Sequence, residues 1–215
     1  MPHPDRFYPV VDSLAWIERL TRLGVRTVQL RVKDLAHDAA VSQVRIALAL
    51  TRGTRTEVVV NDYWRAAIEA GAKHVHLGQE DLAEADVSAI RAAGLTLGLS
   101  THDDEELATA LRHQPDYVAL GPIYPTTLKA MRFAPQGLER IAEWKRRIGP
   151  IPLVAIGGIT LERAPGVFAA SADSIAVVSD VTQNVDPDQR VRDWLHMTDL
   201  IERRRRTARR RTSLS

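Results

Sequence analysis

The chain has 215 residues, 45% of them hydrophobic and 26% charged, which is ordinary for one sizeable globular domain. It has no cysteine, so disulfides, thiolate chemistry and cysteine-ligated metals are excluded. The net charge of +2 is unevenly placed: residues 201–215, "IERRRRTARRRTSLS", carry seven Arg and one Glu, and taking that +6 away leaves −4 on residues 1–200.

The opening "MPHPDRFYPVVD" lacks the basic start and apolar stretch of a secretory leader. No apolar run approaches the ~18 residues of a membrane span. A cytoplasmic location with no membrane partner is therefore expected. Short β-branched apolar runs then alternate with helical patterns. Strands are predicted over 7–11, 27–32, 57–61, 74–78, 95–100, 117–122, 152–158 and 174–179. After the first strand, Leu14, Ile17, Leu20 and Leu23 recur at three-residue spacing, and Gly24 closes the helix. A long helix is predicted over 38–53 and a short one over 63–71. Others are predicted over 88–94, 105–113, 138–149 and 191–202. Residues 201–215 read as an Arg-rich disordered tail. No aromatic residue interleaves its arginines, so nucleic acid is not expected as a partner.

Strands this uniformly apolar are covered on both faces, which means a parallel sheet. Eight near-equal strand–helix units with no break in composition predict a single-domain (β/α)8 TIM barrel over residues 1–200. It would be compact beside the roughly 250 residues usual for that fold. An open doubly wound sheet is the alternative architecture.

In such a barrel, chemistry belongs at the C-terminal ends of the strands. The second strand ends in Gln29, Arg31 and Lys33, which alternate and so share a face. Asn61 and Asp62 end the third, and Gln79, Glu80 and Asp81 follow the fourth. Ser100, Thr101 and His102 end the fifth, and Thr126, Thr127 and Lys129 follow the sixth. Gly157 and Gly158 end the seventh and Ser179 the eighth. Each has an ordinary explanation alone: Asp62 and Asp81 as helix caps, the cations as ion-pair partners, His76 and His102 as structural residues. Their convergence on one rim suits a polyanion bound with a metal. Mg²⁺ takes one or two carboxylates plus phosphate oxygens and water, and Asp62 and Asp81 can supply the carboxylates. Arg31, Lys33 and Lys129 would neutralise a pyrophosphate. The Gly157–Gly158 turn and Ser179 lie where such barrels bind phosphate through backbone N–H groups. Two anion sites point to two substrates.

The stretches "YPVVDS", "QLRVKD", "VNDYW", "VHLGQEDL", "LGLSTHDDEE", "LGPIYPTT-K", "PQGLE", "VAIGGIT" and "SIAVVS" occur in order between about Tyr8 and Thr182. With them the sequence resembles the thiamine phosphate synthase (thiamine-phosphate pyrophosphorylase) family. The resemblance implies a transferase of thiamine biosynthesis with Mg²⁺ as cofactor. It would join 4-amino-5-hydroxymethyl-2-methylpyrimidine diphosphate to 4-methyl-5-(2-phosphoethyl)thiazole, releasing pyrophosphate. It further implies that Gln29, Leu30, Arg31, Val32, Lys33 and Asn61 hold the pyrimidine diphosphate and that Asp62 and Asp81 bind Mg²⁺. Ser100 and Lys129 would contact the leaving pyrophosphate. Thr126, Thr127, Leu128, Gly158, Val178 and Ser179 would line the thiazole phosphate site. Arg31, Lys33, Ser100 and Lys129 form the implied catalytic set. Two positions depart from the family pattern. Leu128 stands where Thr or Ser is usual, and Asp180, next to Ser179, puts a carboxylate where small residues are common. A thiazole tautomerase-like isomerase, or a weakened barrel that binds thiazole phosphate, are the alternative readings. A homo-oligomer is compatible with all of them.

Overall fold

The computed structural model describes residues 4–126 and 133–212. Eight strands form a closed parallel barrel: β1 (Phe7–Val11), β2 (Thr27–Leu30), β3 (Glu57–Asn61), β4 (His74–Leu77), β5 (Thr96–Thr101), β6 (Tyr117–Leu120), β7 (Leu153–Ile156) and β8 (Ser174–Val177). Each pairs with the next, and β8 closes on β1 through Phe7↔Ile175 and Tyr8↔Ala176. Around them run α1 (Leu14–Arg22), α2 (His37–Thr51), α3 (Trp64–Ala70), α4 (Gln79–Glu84), α5 (Val87–Ala92) and α6 (Asp104–Arg112). The ring continues with α7 (Gly137–Ile148), α8 (Ala164–Ala169), α9 (Ser179–Thr182) and α10 (Pro187–Thr212). The expected barrel is the observed one, and the open sheet is excluded.

The period-two alternation of each strand sorts its side chains into two cores. Tyr8, Val10, Val59, Tyr117, Ala119, Val154 and Ala176 fill the barrel interior. Their neighbours Phe7, Val11, Val28, Leu30, Val118, Leu120 and Ile175 face the helices, as do Val60, Val75, Leu97 and Leu99 on the other side. Burying each of these side chains contributes about 1.5–3 kcal/mol, so the helix-facing shell supplies most of the stability. α10 closes the shell beneath β1, with Trp194 stacked on Phe7 at 5.3 Å between ring centroids.

Most strands stop short of the predicted ends. β2 ends at Leu30 rather than 32, β6 at Leu120 rather than 122, and β7 at Ile156 rather than 158. The residues beyond peel away from the ladder to form the rim. Ser179, expected at the end of the eighth strand, is instead the first residue of α9. α4 and α8 were not anticipated as separate helices; each has six residues, too few for a readable 3.6-residue period. Residues 201–212, expected as a disordered tail, continue α10. Arg is a good helix former, and residues 201–212 include no glycine or proline. Glu202 also pairs with Arg6 at 2.9 Å, tying the extension to the barrel floor.

Candidate functional site

The C-terminal ends of β2, β3 and β4 gather the acidic and basic groups. After Asn61 the chain turns sharply. Asp62 adopts a left-handed backbone (φ 64°), a conformation Asp tolerates better than most residues. Its N–H still donates to the His76 carbonyl at 2.9 Å, which holds the turn against β4. The Asp62 carboxylate accepts a 2.8 Å hydrogen bond from Lys33 Nζ. It does not cap the following helix: α3 begins at Trp64, with Tyr63 at the N-cap and no side-chain cap. Asp81 sits in the first turn of α4, and its carboxyl group lies within hydrogen-bond reach of Asp62. Burial, then the charge and hydrogen bond of Asp62, push the Asp81 carboxyl up to about 6. This is the expected behaviour of a partly buried carboxyl group that shares a small site with a second one. Arg31 is exposed at the same rim and makes no ion pair among the described residues. Asn61 is buried, and its Nδ2 has no hydrogen-bond partner among the described residues.

The alternation that puts Gln29, Arg31 and Lys33 on one face puts Leu30 and Val32 on the other. Leu30 belongs to the helix-facing core, and Val32 packs against it. Only their backbones can reach a ligand at the rim.

Behind the rim a chain of polar groups crosses the barrel interior. Gln29 Nε2 donates to the Tyr8 hydroxyl at 2.7 Å. The hydroxyls of Tyr8 and Tyr117 lie 3.0 Å apart. Tyr117 Oη is 3.0 Å from His76 Nδ1, and His76 Nε2 is 2.9 Å from Ser100 Oγ. Gln79 Nε2 donates to the Ser100 carbonyl at 2.6 Å, fixing the end of β5. Burial pulls the His76 imidazole down to about 4, with Asp62 opposing and Arg31 reinforcing the shift. Tyr8 and Tyr117 were missed in the sequence, where His76 was read as a structural residue. The available signal was a set of polar residues at inward positions of strands that otherwise carry Val and Ala.

On the opposite side, Gly158, Thr126, Ser179, Asp180 and Asn184 line a cleft of about 390 Å³, and Val178 joins the interior cluster beside it. Gly158 (φ 62°) packs so closely that a Cβ there would lie 2.4 Å from the Pro125 carbonyl oxygen. Only glycine gives both that conformation and that approach. Asp180 does not present an uncompensated charge to this cleft. Its carboxylate accepts hydrogen bonds from Arg190 Nη2 (2.7 Å), Arg190 Nε (2.9 Å) and Trp194 Nε1 (2.7 Å). Arg190 in turn donates to Glu162 through its two terminal nitrogens, Nη1 (2.8 Å) and Nη2 (2.9 Å). Thr127, Leu128 and Lys129 lie outside the described residues.

His102 is a structural residue. Its Nδ1 bonds Glu106 at 2.7 Å and its ring stacks on Phe133 at 4.7 Å. No cluster of three or more His, Cys, Asp or Glu residues among those described is arranged to hold a metal by itself. No helix among them is long and apolar enough to cross a membrane.

Comparison with known proteins places the chain in a family. A family model described as thiamine monophosphate synthase matches residues 6–181. A thiamine-phosphate synthase of Rhizobium etli is 58% identical over 194 residues, spanning 90% of this chain and 95% of its own. One from Klebsiella pneumoniae is 55% identical over 202 residues, 93% of this chain and 92% of its own. Among solved structures, thiamine phosphate pyrophosphorylase from Pyrococcus furiosus superposes with a TM-score of 0.80 at 25% identity, covering 91% of this chain and 96% of its own. A 3-hexulose-6-phosphate synthase (TM-score 0.63, 15% identity, 87% of this chain and 97% of its own) shares the fold alone. The chain belongs to the thiamine monophosphate synthase family.

Proposed function

We propose that the chain condenses 4-amino-5-hydroxymethyl-2-methylpyrimidine diphosphate with 4-methyl-5-(2-phosphoethyl)thiazole, giving thiamine phosphate and pyrophosphate. The observation that carries this reading is the contact between the carboxyl groups of Asp62 and Asp81, beside Lys33 and an Arg31 that makes no ion pair among the described residues. That set is electrostatically incomplete, and a diphosphate with a divalent cation completes it.

The donor set fits Mg²⁺. Two half-buried carboxylates meet, one of them held protonated to an unusually high pH, and the remaining coordination falls to phosphate oxygens and water. Asp62 and Asp81 would hold the ion, which when bound supplies positive charge to the diphosphate oxygens. Arg31 and Lys33 add charge on the same group, and Lys129, by resemblance, a third cation. Asn61 Nδ2, buried without a partner among the described residues, would donate to an acceptor on the pyrimidine.

The reaction breaks the bond between the pyrimidine methylene carbon and the diphosphate oxygen, and the electron pair leaves with the diphosphate. The thiazole nitrogen lone pair then forms the new C–N bond. No proton is transferred, so the work is to place positive charge where negative charge develops. Gly158, Val178 and Ser179 would bind the thiazole phosphate, with Thr126 at the edge of the cleft. Because Asp180 is engaged by Arg190 and Trp194, it does not oppose an anion there. The isomerase reading has no comparable support, since it needs no diphosphate and would leave the Asp62–Asp81 contact without a ligand to justify it.

The test is turnover by the purified protein with Mg²⁺ and both substrates. Pyrophosphate release that depends on the thiazole phosphate supports the synthase. No release at millimolar concentrations of both substrates would remove it.

A further inference from the structure

The interior chain of hydrogen bonds has a direction. Its members come from β2, β1, β6, β4 and β5, so it crosses the barrel and returns to the rim. All but Ser100 are buried, His76 being the most exposed of the other four at 6%. Buried hydroxyl and imidazole groups cost stability unless they are paired, and aliphatic side chains would fill the same space without that requirement. The fold also makes room for them. A Cβ on Gly98 would lie 2.0 Å from the Tyr117 ring, so glycine at this inward position is what admits the tyrosine.

The hydroxyl and imidazole contacts can run either way, but only one direction spares the Tyr8 proton from facing the Gln29 amide N–H. The Gln29 amide nitrogen only donates, so the Tyr8 oxygen accepts from it and sends its own proton to Tyr117. Tyr117 then sends its proton to His76 Nδ1. An accepting Nδ1 fixes a neutral imidazole with its proton on Nε2, and that proton goes to Ser100 Oγ. With Nε2 occupied as a donor, the Ser100 proton cannot turn inward toward the histidine. It points out to the rim.

We infer that the Gln29–Tyr8–Tyr117–His76 chain holds the Ser100 hydroxyl as a donor toward the departing diphosphate, which makes His76 and Tyr117 positioning residues for the reaction. This inference rests on the synthase reading, in which Ser100 faces that anion. In the opposite tautomer Ser100 would donate to His76 and turn only lone pairs toward the phosphate oxygens. Losing a hydrogen bond to a charged group corresponds to about a tenfold or greater fall in rate.

Two measurements test it. In protein labelled with ¹⁵N-histidine, the imidazole nitrogen shifts of His76 should report the Nε2–H tautomer, and an Nδ1–H tautomer overturns the inference. Tyr117→Phe keeps the ring against Gly98 and removes the hydroxyl. It should lower kcat about tenfold while leaving KM for the thiazole phosphate unchanged. If Tyr117 acts through Ser100, the same change made in Ser100→Ala should have no further effect. Losses that simply add would show that Tyr117 contributes only structure, and would overturn the inference. An active wild type with the wrong tautomer sinks this inference alone. A wild type without thiazole-dependent turnover sinks the synthase reading, and with it the anion invoked here.

Discussion

Replacing Asp81 by Asn isolates the cost of holding two carboxylates together before a metal arrives. The Asp81 carboxyl lies at about 6 against an ordinary 3.8, chiefly through burial and then through Asp62. The folded, metal-free protein therefore binds this proton more tightly than the unfolded chain does. Its contribution to stability is favourable at low pH and is lost as pH rises from about 4 through about 6. At full strength the difference amounts to ~3 kcal/mol. Asp81 is only partly buried and Lys33 stands nearby, so solvent and the ammonium screen it to ~1 kcal/mol. Asn cannot ionise and escapes the cost. Asp81→Asn should thus be ~1 kcal/mol more stable than wild type near pH 7.5 without metal, a rise of about 2–4 °C in Tm for a chain of this size. The gain should vanish near pH 4. Thermal unfolding followed by circular dichroism in EDTA, at both pH values, measures it. Adding Mg²⁺ near pH 7.5 should raise the wild-type Tm and leave the variant nearly unmoved. An Asn variant no more stable than wild type near pH 7.5 would refute the claim that the pair is strained.

Asp62→Ala should raise the Mg²⁺ concentration needed for half-maximal rate and lower the rate at least ~tenfold, since it removes half of the carboxylate set. An unchanged Mg²⁺ dependence in steady-state assays would show that Asp62 serves only the rim turn. Gly98→Ala should destabilise by ~1–3 kcal/mol in urea titrations, because the new methyl enters the Tyr117 ring. A loss under ~0.5 kcal/mol would mean the ring has other room. Asp180→Ala strips Trp194 and one side of Arg190 of their acceptor, so a loss of ~3 kcal/mol is expected in the same titration. A neutral result there would place the Asp180 carboxylate in the cleft after all.

The barrel was legible because its strands carry β-branched runs at even spacing, and each run occupies the strand it suggested. The rim was legible in part. Lys33, Asp62 and Asp81 do meet, since the period of two and the common ends of adjacent parallel strands place them together. The same period should have cautioned against the side chains of Leu30 and Val32, which alternation sends to the helices. Asp180 could not be resolved in advance. Whether it faced the cleft or α10 depended on Ser179 opening a helix rather than ending a strand, and on Arg190 ten residues later. The interior chain was hidden for a similar reason: Gln29, Tyr8, Tyr117, His76 and Ser100 are spread along the sequence, with Tyr8 and Tyr117 109 positions apart, and only barrel closure brings them into line.

That chain also explains how the barrel divides its labour. The helix-facing shell is apolar almost without exception and carries the stability. This leaves the interior able to accept residues that contribute little to folding. A site that releases pyrophosphate needs donors that do not rotate away when charge develops, because reorienting them during the reaction would cost free energy at the moment it is least available. A serine at an open rim is a poor fixed donor alone, since water competes for its proton. Anchored through imidazole and two phenols to an amide on a different strand, its hydroxyl is oriented before the substrate binds. The polar chain is then the counterpart of the strained carboxylate pair: one fixes donors for the anion, the other would hold the cation proposed for it.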